Sequence, residues 1–277
     1  MSSTKKNLFD LTGRVAVITG GTGLLGQQHA EAIANGGGIP ILADIRVEGE
    51  DTQSRLWKDR FGDSACAIKA DITQPKSIKS LLAEILERFG RVDILINNAA
   101  NNPKMEKTAE VEFSRLENFP LKQWESDLSV GLTGAFLCSQ IIGGEMARRK
   151  SGVIVNVASD LAVIAPDQRL YRKAGLPDDQ QPVKPVTYSV VKTGLVGLTR
   201  YLATYWAEAG IRVNAISPGG VYNNQPDEFV KRLANLIPLG RMAKMDEYQA
   251  AILFLCSDAS SYMTGTNLVI DGGRSSW

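Results

Sequence analysis

Tyr188 and Lys192, the two side chains best suited to chemistry, lie four positions apart within residues 187–192. In a helix this spacing places both on one face, about one turn apart. A nearby ammonium group stabilises a phenolate, so we expect the pKa of Tyr188 to lie below its usual value of about 10. Such a tyrosine can pass a proton to or from a carbonyl oxygen. An ordinary amphipathic helix gives the same pattern, and the pair alone does not decide between these interpretations.

A glycine-rich turn forms a second candidate site. Residues 14–19 are a β-branched run that predicts a strand, Gly20, Gly23 and Gly26 lie in the turn, and a helical stretch follows at 27–35. Exposed backbone N–H groups and the positive start of a helix favour a pyrophosphate. The pattern therefore predicts a dinucleotide site.

Asp44 indicates which dinucleotide this site would take. It ends the apolar run 39–44, 18 residues beyond Gly26, where a second parallel strand would end beside the first. A carboxylate there accepts hydrogen bonds from both adenosine ribose hydroxyls and repels a 2′-phosphate, which favours NAD over NADP. Arg46, two residues later, weakens this argument. The alternative is a turn and an acidic loop that bind no ligand.

The elements that must position these residues alternate between strand and helix. Apolar runs predict strands at 14–19, 39–44, 65–69, 92–96, 153–157, 212–216 and 267–270. Helical patterns lie at 27–35, 51–61, 75–89, 121–149, from Tyr188 onward, at 226–234 and at 246–256. This alternation predicts an α/β fold, a doubly wound parallel sheet of about seven strands with helices on both faces. Ligands bind beyond the carboxyl ends of such strands, where Gly20, Asp44, Asp71, Asn98 and Ser159 fall.

We expect one domain over residues 1–277, because no repeat or linker interrupts the alternation. Residues 161–186 are long for a strand-to-helix connection and rich in proline, so we interpret them as an active-site lid. Residues 219–238 are interpreted as a substrate loop.

The helix after Tyr188 carries an apolar stripe that packs either in the core or against another subunit. The stripe consists of Val191, Leu195, Leu198, Leu202 and Tyr205.

Composition excludes several classes of function. The net charge is +1 and basic residues are scattered, which argues against nucleic acid and membrane partners and for a small-molecule substrate. Cys66, Cys138 and Cys256 are too far apart for a disulfide framework or a Cys-x-x-Cys motif. With no signal peptide and no apolar run of about 18 residues, we expect a cytoplasmic protein. His29, the only histidine, is interpreted as structural.

Together these motifs resemble the short-chain dehydrogenase/reductase family, in its compact single-domain branch. The resemblance rests on the turn 19–26, Asp44, Asp71-Ile72, Asn97-Asn98-Ala99, Ser159, Tyr188 with Lys192, Pro218-Gly219 and residues 265–273. It implies that Ser159 holds the substrate oxygen, that Tyr188 exchanges its proton, and that Lys192 lowers the pKa of Tyr188 and binds the nicotinamide ribose.

The resemblance also implies NAD(H) as the cofactor, no metal, and a homo-oligomer, either a tetramer or a dimer. Beyond Tyr188 and Lys192, the implied cofactor-binding residues are Gly20, Thr22, Gly23, Leu24, Leu25, Gly26, Asp44, Asp71, Ile72, Asn98, Ala99, Pro218, Gly219 and Val221.

Two positions depart from the family pattern. Gly131 stands where an asparagine is usual in the long helix, so a proton-relay water must be held otherwise or catalysis is weakened. The glycine turn also has the spacing of the epimerase and dehydratase branch, with Leu24 where the compact branch has glycine. The compact branch is preferred, because too little chain follows Gly219 to build a sugar-nucleotide domain.

Segments expected at the open end of the cleft are polar, which predicts a hydrophilic, polyhydroxylated substrate. The candidate substrate residues are Asn101, Asn102, Lys104, Arg169, Arg172 and Asn223. Lys104, Arg169 or Arg172 could bind a carboxylate or phosphate, or be solvated loop charges. The lid and residues 217–226 resemble surface-polysaccharide, nonulosonate and flagellin-modification enzymes, and residues 7–13 resemble sugar-acid dehydrogenases.

The leading hypothesis is therefore an NAD-dependent oxidoreductase that interconverts a secondary alcohol and a ketone on a sugar-derived substrate. Two alternatives stay open. Gly131 is compatible with a catalytically weak NAD-binding regulatory or scaffold protein. The position of Gly23 is compatible with an epimerase or dehydratase that keeps NAD tightly bound.

Overall fold

A single parallel sheet of seven strands organises the chain. The computed structural model describes residues 7–47, 57–62, 65–101 and 114–277. The strands are β1 (Val15–Thr19), β2 (Ile39–Asp44), β3 (Cys66–Lys69), β4 (Ile94–Asn97), β5 (Gly152–Val157), β6 (Ile211–Pro218) and β7 (Asn267–Ile270). They pair in the order β3-β2-β1-β4-β5-β6-β7, always in parallel. The predicted fold class is confirmed.

Helices connect the strands. They are α1 (Leu24–Asn35), α2 (Pro75–Phe89), α3, α4 (Val186–Tyr205), α5 (Asp227–Ala234) and α6 (Gln249–Cys256). Helix α3 has three α-helical pieces, Leu121–Leu128, Gly134–Cys138 and Gly144–Arg148, which π-helical turns join at Ser129–Thr133 and Ser139–Gly143. Residues 57–61 are also helical, and the rest of the helix predicted at 51–61 lies outside the described residues.

The helices form two layers. Helices α2, α3 and α4 cover one face of the sheet, and α1 and α6 cover the other. Along β1, Val15 and Val17 pack into the first layer, while Ala16 and Ile18 pack into the second. Because successive side chains of a strand point to opposite faces, a strand covered on both sides must be apolar throughout. This explains the uninterrupted apolar runs of the sequence.

The apolar stripe of α4 packs mainly in the core. Val191, Leu195 and Leu202 are at most 6% exposed, which favours the core interpretation for these three positions. Tyr205 differs, because it is 65% exposed and stacks on Tyr201 at the surface.

Several boundaries differ from the prediction by one to three residues, and two of them lie at the carboxyl edge of the sheet. Helix α1 begins at Leu24 and not at residue 27, because the N–H of Gly23 bonds to the carbonyl of Gly20 and closes the turn early. Strand β6 continues to Pro218, since β7 pairs with it to that residue.

The segment predicted as a lid, residues 161–186, contains no strand, and its only α-helical residue is Val186, where α4 begins. It consists of loops with short 3₁₀ turns at Asp160–Ala162, Gln168–Tyr171 and Asp178–Gln180. Among the described helices, none combines the length and the apolarity that a membrane span requires.

Candidate active site

The carboxyl ends of the strands open into a cleft of about 1260 Å³. Of the residues predicted to bind cofactor or to catalyse, the cleft is lined by Gly20, Gly23, Leu24, Leu25, Asp44, Asp71, Ile72, Asn98, Ala99, Ser159, Tyr188, Lys192, Pro218, Gly219 and Val221. Thr22 and Gly26 do not line it. Thr22 instead donates a hydrogen bond to Asp44, and Gly26 packs against the backbone of the glycine turn.

The glycine turn is shaped by close backbone contacts. Gly20 has a φ of +62°, a conformation that side chains with a Cβ rarely adopt. A Cβ on Gly26 would lie 2.3 Å from the carbonyl oxygen of Gly20, and a Cβ on Gly21 would lie 2.7 Å from the Cα of Leu42. Helix α1 starts at this turn without a side-chain cap, so its first N–H groups are left for an anion. The turn therefore fits the pyrophosphate of a dinucleotide.

Asn98 and Asp71 support the cleft wall. The side-chain amide of Asn98 donates to the carbonyl oxygens of Thr19 at 2.9 Å and Gly20 at 3.1 Å, which fixes the glycine turn to the end of β4. The carboxylate of Asp71 accepts from the N–H and the hydroxyl of Thr73 at 2.9 and 2.7 Å. Both residues thus shape the backbone around the expected ligand.

Asp44 is buried, and Thr22 and Arg46 bind its carboxylate. Thr22 Oγ1 donates to one oxygen at 2.7 Å, and the backbone N–H of Arg46 donates to the other at 3.0 Å. The Arg46 guanidinium also pairs with Asp44 at 3.2 Å while remaining 64% exposed. Burial alone would raise the pKa of Asp44, but the hydrogen bonds from Arg46 and Thr22 outweigh it and lower the pKa. A ribose would therefore share this carboxylate with Arg46.

Ser159, Tyr188 and Lys192 meet at the other end of the cleft. The Tyr188 hydroxyl lies close enough to Ser159 for the serine side chain to lower the pKa of the phenol. Lys192 Nζ donates to the carbonyl oxygen of Val157 at 2.7 Å and lies 5.9 Å from the centre of the Tyr188 ring. Helix α4 and the end of β5 therefore bring the three groups together, as the sequence pattern predicts.

The expected depression of the tyrosine pKa is not found. Burial raises the pKa of Tyr188, and the Ser159 side chain only partly opposes this. Burial also lowers the pKa of Lys192 to about 8, with a further contribution from the ammonium of Lys184. Desolvation therefore disfavours the charged form of both groups.

Lys184 is a site residue that the sequence analysis missed. Its ammonium lies 3.8 Å from the centre of the Tyr188 ring, closer than that of Lys192. Burial lowers its pKa to about 8, and the carboxylate of Asp160 partly opposes that shift. Its position four residues before Tyr188 was the available signal, but proline-rich loops do not fix the direction of a side chain.

Asp160 and Arg274 were also missed. Arg274 Nη1 donates to Asp160 Oδ2 at 2.7 Å, and Asp160 Oδ1 accepts from Ser159 Oγ at 2.8 Å. Asp160 directly follows a predicted site residue, which was a usable signal. Arg274 is 114 residues away along the chain, and nothing local predicts this contact.

Gly131 lies against α4, where Val191 takes up the space beside it. A Cβ on Gly131 would lie 2.5 Å from Val191 Cγ1. A small cavity of about 20 Å³ lies next to this contact, lined among others by Asp127, Lys184 and Lys192. Such a volume holds about one water molecule when polar groups surround it. These three side chains are therefore available to hold a relay water in place of an asparagine.

The predicted substrate residues divide into three groups. Asn101, Arg172 and Asn223 line the cleft. Arg169 does not, because it is 81% exposed and pairs with Asp167 at 2.7 Å. Asn102 and Lys104 lie outside the described residues.

The open end of the cleft is less polar than predicted. The lid and α5 contribute Leu170, Tyr171, Phe229 and Leu233, which pack with Met242 in one apolar cluster. The sequence analysis missed this cluster, because its members come from three separate segments. The cleft therefore offers a substrate both apolar and charged walls.

Two family models match the chain, short chain dehydrogenase over residues 14–171 and Enoyl-(Acyl carrier protein) reductase over residues 180–275. An NAD-dependent glycerol dehydrogenase of Listeria innocua is 35% identical over 273 residues, covering 96% of this chain and 95% of the relative. A D-threitol dehydrogenase of Mycolicibacterium smegmatis is 34% identical over 271 residues, covering 96% and 94%. A solved gluconate 5-dehydrogenase from Burkholderia cenocepacia, in complex with NADP and tartrate, superposes with a TM-score of 0.84 at 27% identity and 98% coverage of both chains.

Proposed function

This chain belongs to the short-chain dehydrogenase family, and we propose that it is an NAD(H)-dependent oxidoreductase that interconverts a secondary alcohol and a ketone. The observation that carries the proposal is the meeting of Ser159, Tyr188 and Lys192 at one end of the cleft that the glycine turn opens. We propose that residues 1–277 form one catalytic domain, with a lid at 161–186 and a substrate loop at 219–238.

In alcohol oxidation, Ser159 holds the substrate oxygen and Tyr188 removes its proton. Because burial raises the pKa of Tyr188, the phenolate needs positive charge nearby, which the ammonium groups of Lys192 and Lys184 supply. Lys192 also holds the nicotinamide ribose. A bound nicotinamide supplies or accepts the hydride.

A polyol or sugar-derived substrate is favoured over a steroid or fatty-acyl one. Relatives named for glycerol and threitol, together with the gluconate enzyme, support this class. Asn101, Asn223 and Arg172 offer polar contacts at the open end, and Arg172 could also hold a carboxylate. The expected likeness to surface-polysaccharide, nonulosonate and flagellin-modification enzymes stays a prediction.

We propose NAD as the preferred cofactor, because the buried carboxylate of Asp44 stands where the adenosine ribose would bind. Arg46 favours the second candidate, NADP, since its exposed guanidinium could receive a 2′-phosphate. Removing the carboxylate by Asp44→Ala while Arg46 stays should lower the NAD-to-NADP ratio of kcat/KM by about tenfold or more.

The decisive test is steady-state kinetics with NAD(H) and NADP(H) on a panel of polyols, keto-sugars and sugar acids. We expect turnover of at least one polyol or sugar acid, with NAD preferred. A strong preference for NADP would refute the argument from Asp44. NAD binding without turnover of any panel member would favour the regulatory or scaffold alternative, and NAD that stays bound and is not consumed would favour an epimerase.

A further inference from the structure

The carboxylate of Asp160 holds the Ser159 side chain through a hydrogen bond. Ser159 Oγ donates to Asp160 Oδ1 at 2.8 Å, and the backbone N–H of Leu161 donates to the same oxygen at 2.9 Å. Arg274 Nη1 donates to the other carboxylate oxygen at 2.7 Å. Ser159, Asp160 and Arg274 are 4%, 3% and 8% exposed, so water competes little for these bonds. The three side chains form one buried chain of hydrogen bonds.

These hydrogen bonds determine whether Ser159 acts as a donor or as an acceptor toward each of its neighbours. A serine hydroxyl has a single proton to donate, and an ionised carboxylate can only accept. In this arrangement Ser159 gives its proton to Asp160, so it presents its lone pairs to the cleft. The serine oxygen is thereby prepared to accept a hydrogen bond from a substrate alcohol.

We infer that Asp160 and Arg274 form a positioning pair for Ser159, and that this pair also balances the charge felt by the Tyr188 hydroxyl. The inference rests on the proposed oxidoreductase function. Neither residue needs to touch substrate for this role, because both act through Ser159 and through their charges. Arg274 therefore belongs to the site, although it lies far along the chain from the glycine turn and from α4.

The charges of the pair act on Tyr188 in opposite directions. The carboxylate of Asp160 disfavours a neighbouring phenolate. The guanidinium of Arg274 donates to that carboxylate, so we expect it to offset the effect at Tyr188. The other titratable or charged groups around this end of the cleft are Lys184 and Lys192 on the segment of Tyr188, Asp127 on α3, Asp167 and Tyr171 in the lid, and Tyr248 just before α6. These stay unchanged when either member of the pair is replaced.

The test compares Asp160→Asn, Arg274→Met, the double variant and the conservative Arg274→Lys with the wild type. Two measurements are made, the pH profile of kcat/KM for alcohol oxidation and an ultraviolet difference titration of tyrosine in the protein without cofactor. A Tyr188→Phe variant identifies the Tyr188 signal among the seven tyrosines. We expect Asp160→Asn to move the titration by about one pH unit to lower pH and Arg274→Met to move it upward by a similar amount.

The double variant should titrate close to the wild type, and Arg274→Lys should restore most of the wild-type profile. In both single variants kcat should fall about tenfold or more, while KM for the dinucleotide stays within about twofold, because the lost bonds are at Ser159. A surface ion pair serves as the control. Glu84→Gln with Arg88→Met, which removes an exposed pair of 3.0 Å on α2, should change neither measurement.

Shifts in the same direction for both single variants, or no shift in either, would overturn the inference. If Arg274→Met does not fold, the double variant decides, since it leaves no unpaired buried charge. A wild type that turns over no panel substrate refutes the proposed function alone, because the tyrosine titration still measures the effect of the pair.

Discussion

Tyr188 is a half-buried phenol with two lysine ammonium groups near its ring, and this environment decides how well it works as a base. We expect Tyr188→Phe to lower kcat about 10²- to 10⁴-fold, because the ring is kept and only the proton-transferring oxygen is lost. NAD binding, measured by fluorescence titration, should stay within about threefold of the wild type. Activity equal to that of the wild type would remove Tyr188 from the mechanism.

Lys184 should make stability depend on pH. Burial lowers its pKa to about 8, whereas the pKa of a lysine in the unfolded chain is about 10.5. Between these values the unfolded chain binds a proton that the folded chain does not, so the Lys184 contribution to stability rises with pH across this window. Lys184→Met removes that contribution. The free energy of unfolding of the variant minus that of the wild type should therefore fall as pH rises from about 8 to about 10.

Urea denaturation at several pH values measures this difference. The buried thiols have raised pKa values and give the opposite slope, but they are the same in both proteins and cancel. Lys76→Met on the exposed side of α2 is the matched control and should give a difference that does not change with pH. A flat difference for Lys184→Met would contradict the lowered pKa.

Helices α3 and α4 pack through Gly131 and Val191. Because a Cβ on Gly131 would lie 2.5 Å from Val191 Cγ1, we expect Gly131→Asn to destabilise the fold by about 1–3 kcal/mol. Adding Val191→Ala should recover part of that loss, since it removes the contacting methyl groups. Gly144→Ala is the control on the same helix, where a Cβ would meet no atom beyond the neighbouring helix backbone within 4 Å, and it should raise stability by up to about 1 kcal/mol. Unfolding midpoints in urea measure these differences. A Gly131→Asn variant as stable as the wild type would contradict this packing.

The strands were the best predicted elements. Ile39–Asp44 has the predicted bounds, because a buried parallel strand leaves an uninterrupted apolar run. The half-buried edge strand Asn267–Ile270 also has the predicted bounds. The π-helical turns of α3 could not be predicted, since no local residue type marks them. The apolar cluster over the cleft also escaped prediction, because Leu170, Phe229 and Met242 come together only through tertiary packing.

Across the whole molecule, the exposed aromatic face of α4 favours self-association. Tyr201 and Tyr205 are 63% and 65% exposed and stack at 5.7 Å, and Phe136 on α3 is 45% exposed. We predict a homo-oligomer, a tetramer or a dimer, in which a second copy covers this face. Tyr201→Glu with Tyr205→Glu should lower the mass found by sedimentation equilibrium, whereas Lys79→Glu on α2 should not. A wild-type monomer would contradict the prediction.

The family prediction is confirmed, and it depended on residues at strand ends that many enzymes of this architecture share. Local pattern was enough to expect Ser159, Tyr188 and Lys192 in one cleft, since parallel strands bring their carboxyl ends together. It was not enough to find Lys184 or Arg274. Their roles depend on the path of a loop and on a contact between distant segments, which no short stretch of sequence encodes.

The hydrogen bond between Arg274 and Asp160 joins positions 114 residues apart. During synthesis Ser159 leaves the ribosome well before Arg274 is incorporated, because α4, β6, α5, α6 and β7 must all be made in between. A nascent chain can assemble β1 to β5 in that interval, but its Asp160 does not yet have Arg274 as a hydrogen-bond partner. If Arg274 positions Asp160 as we infer, we expect full turnover only after translation has passed position 274.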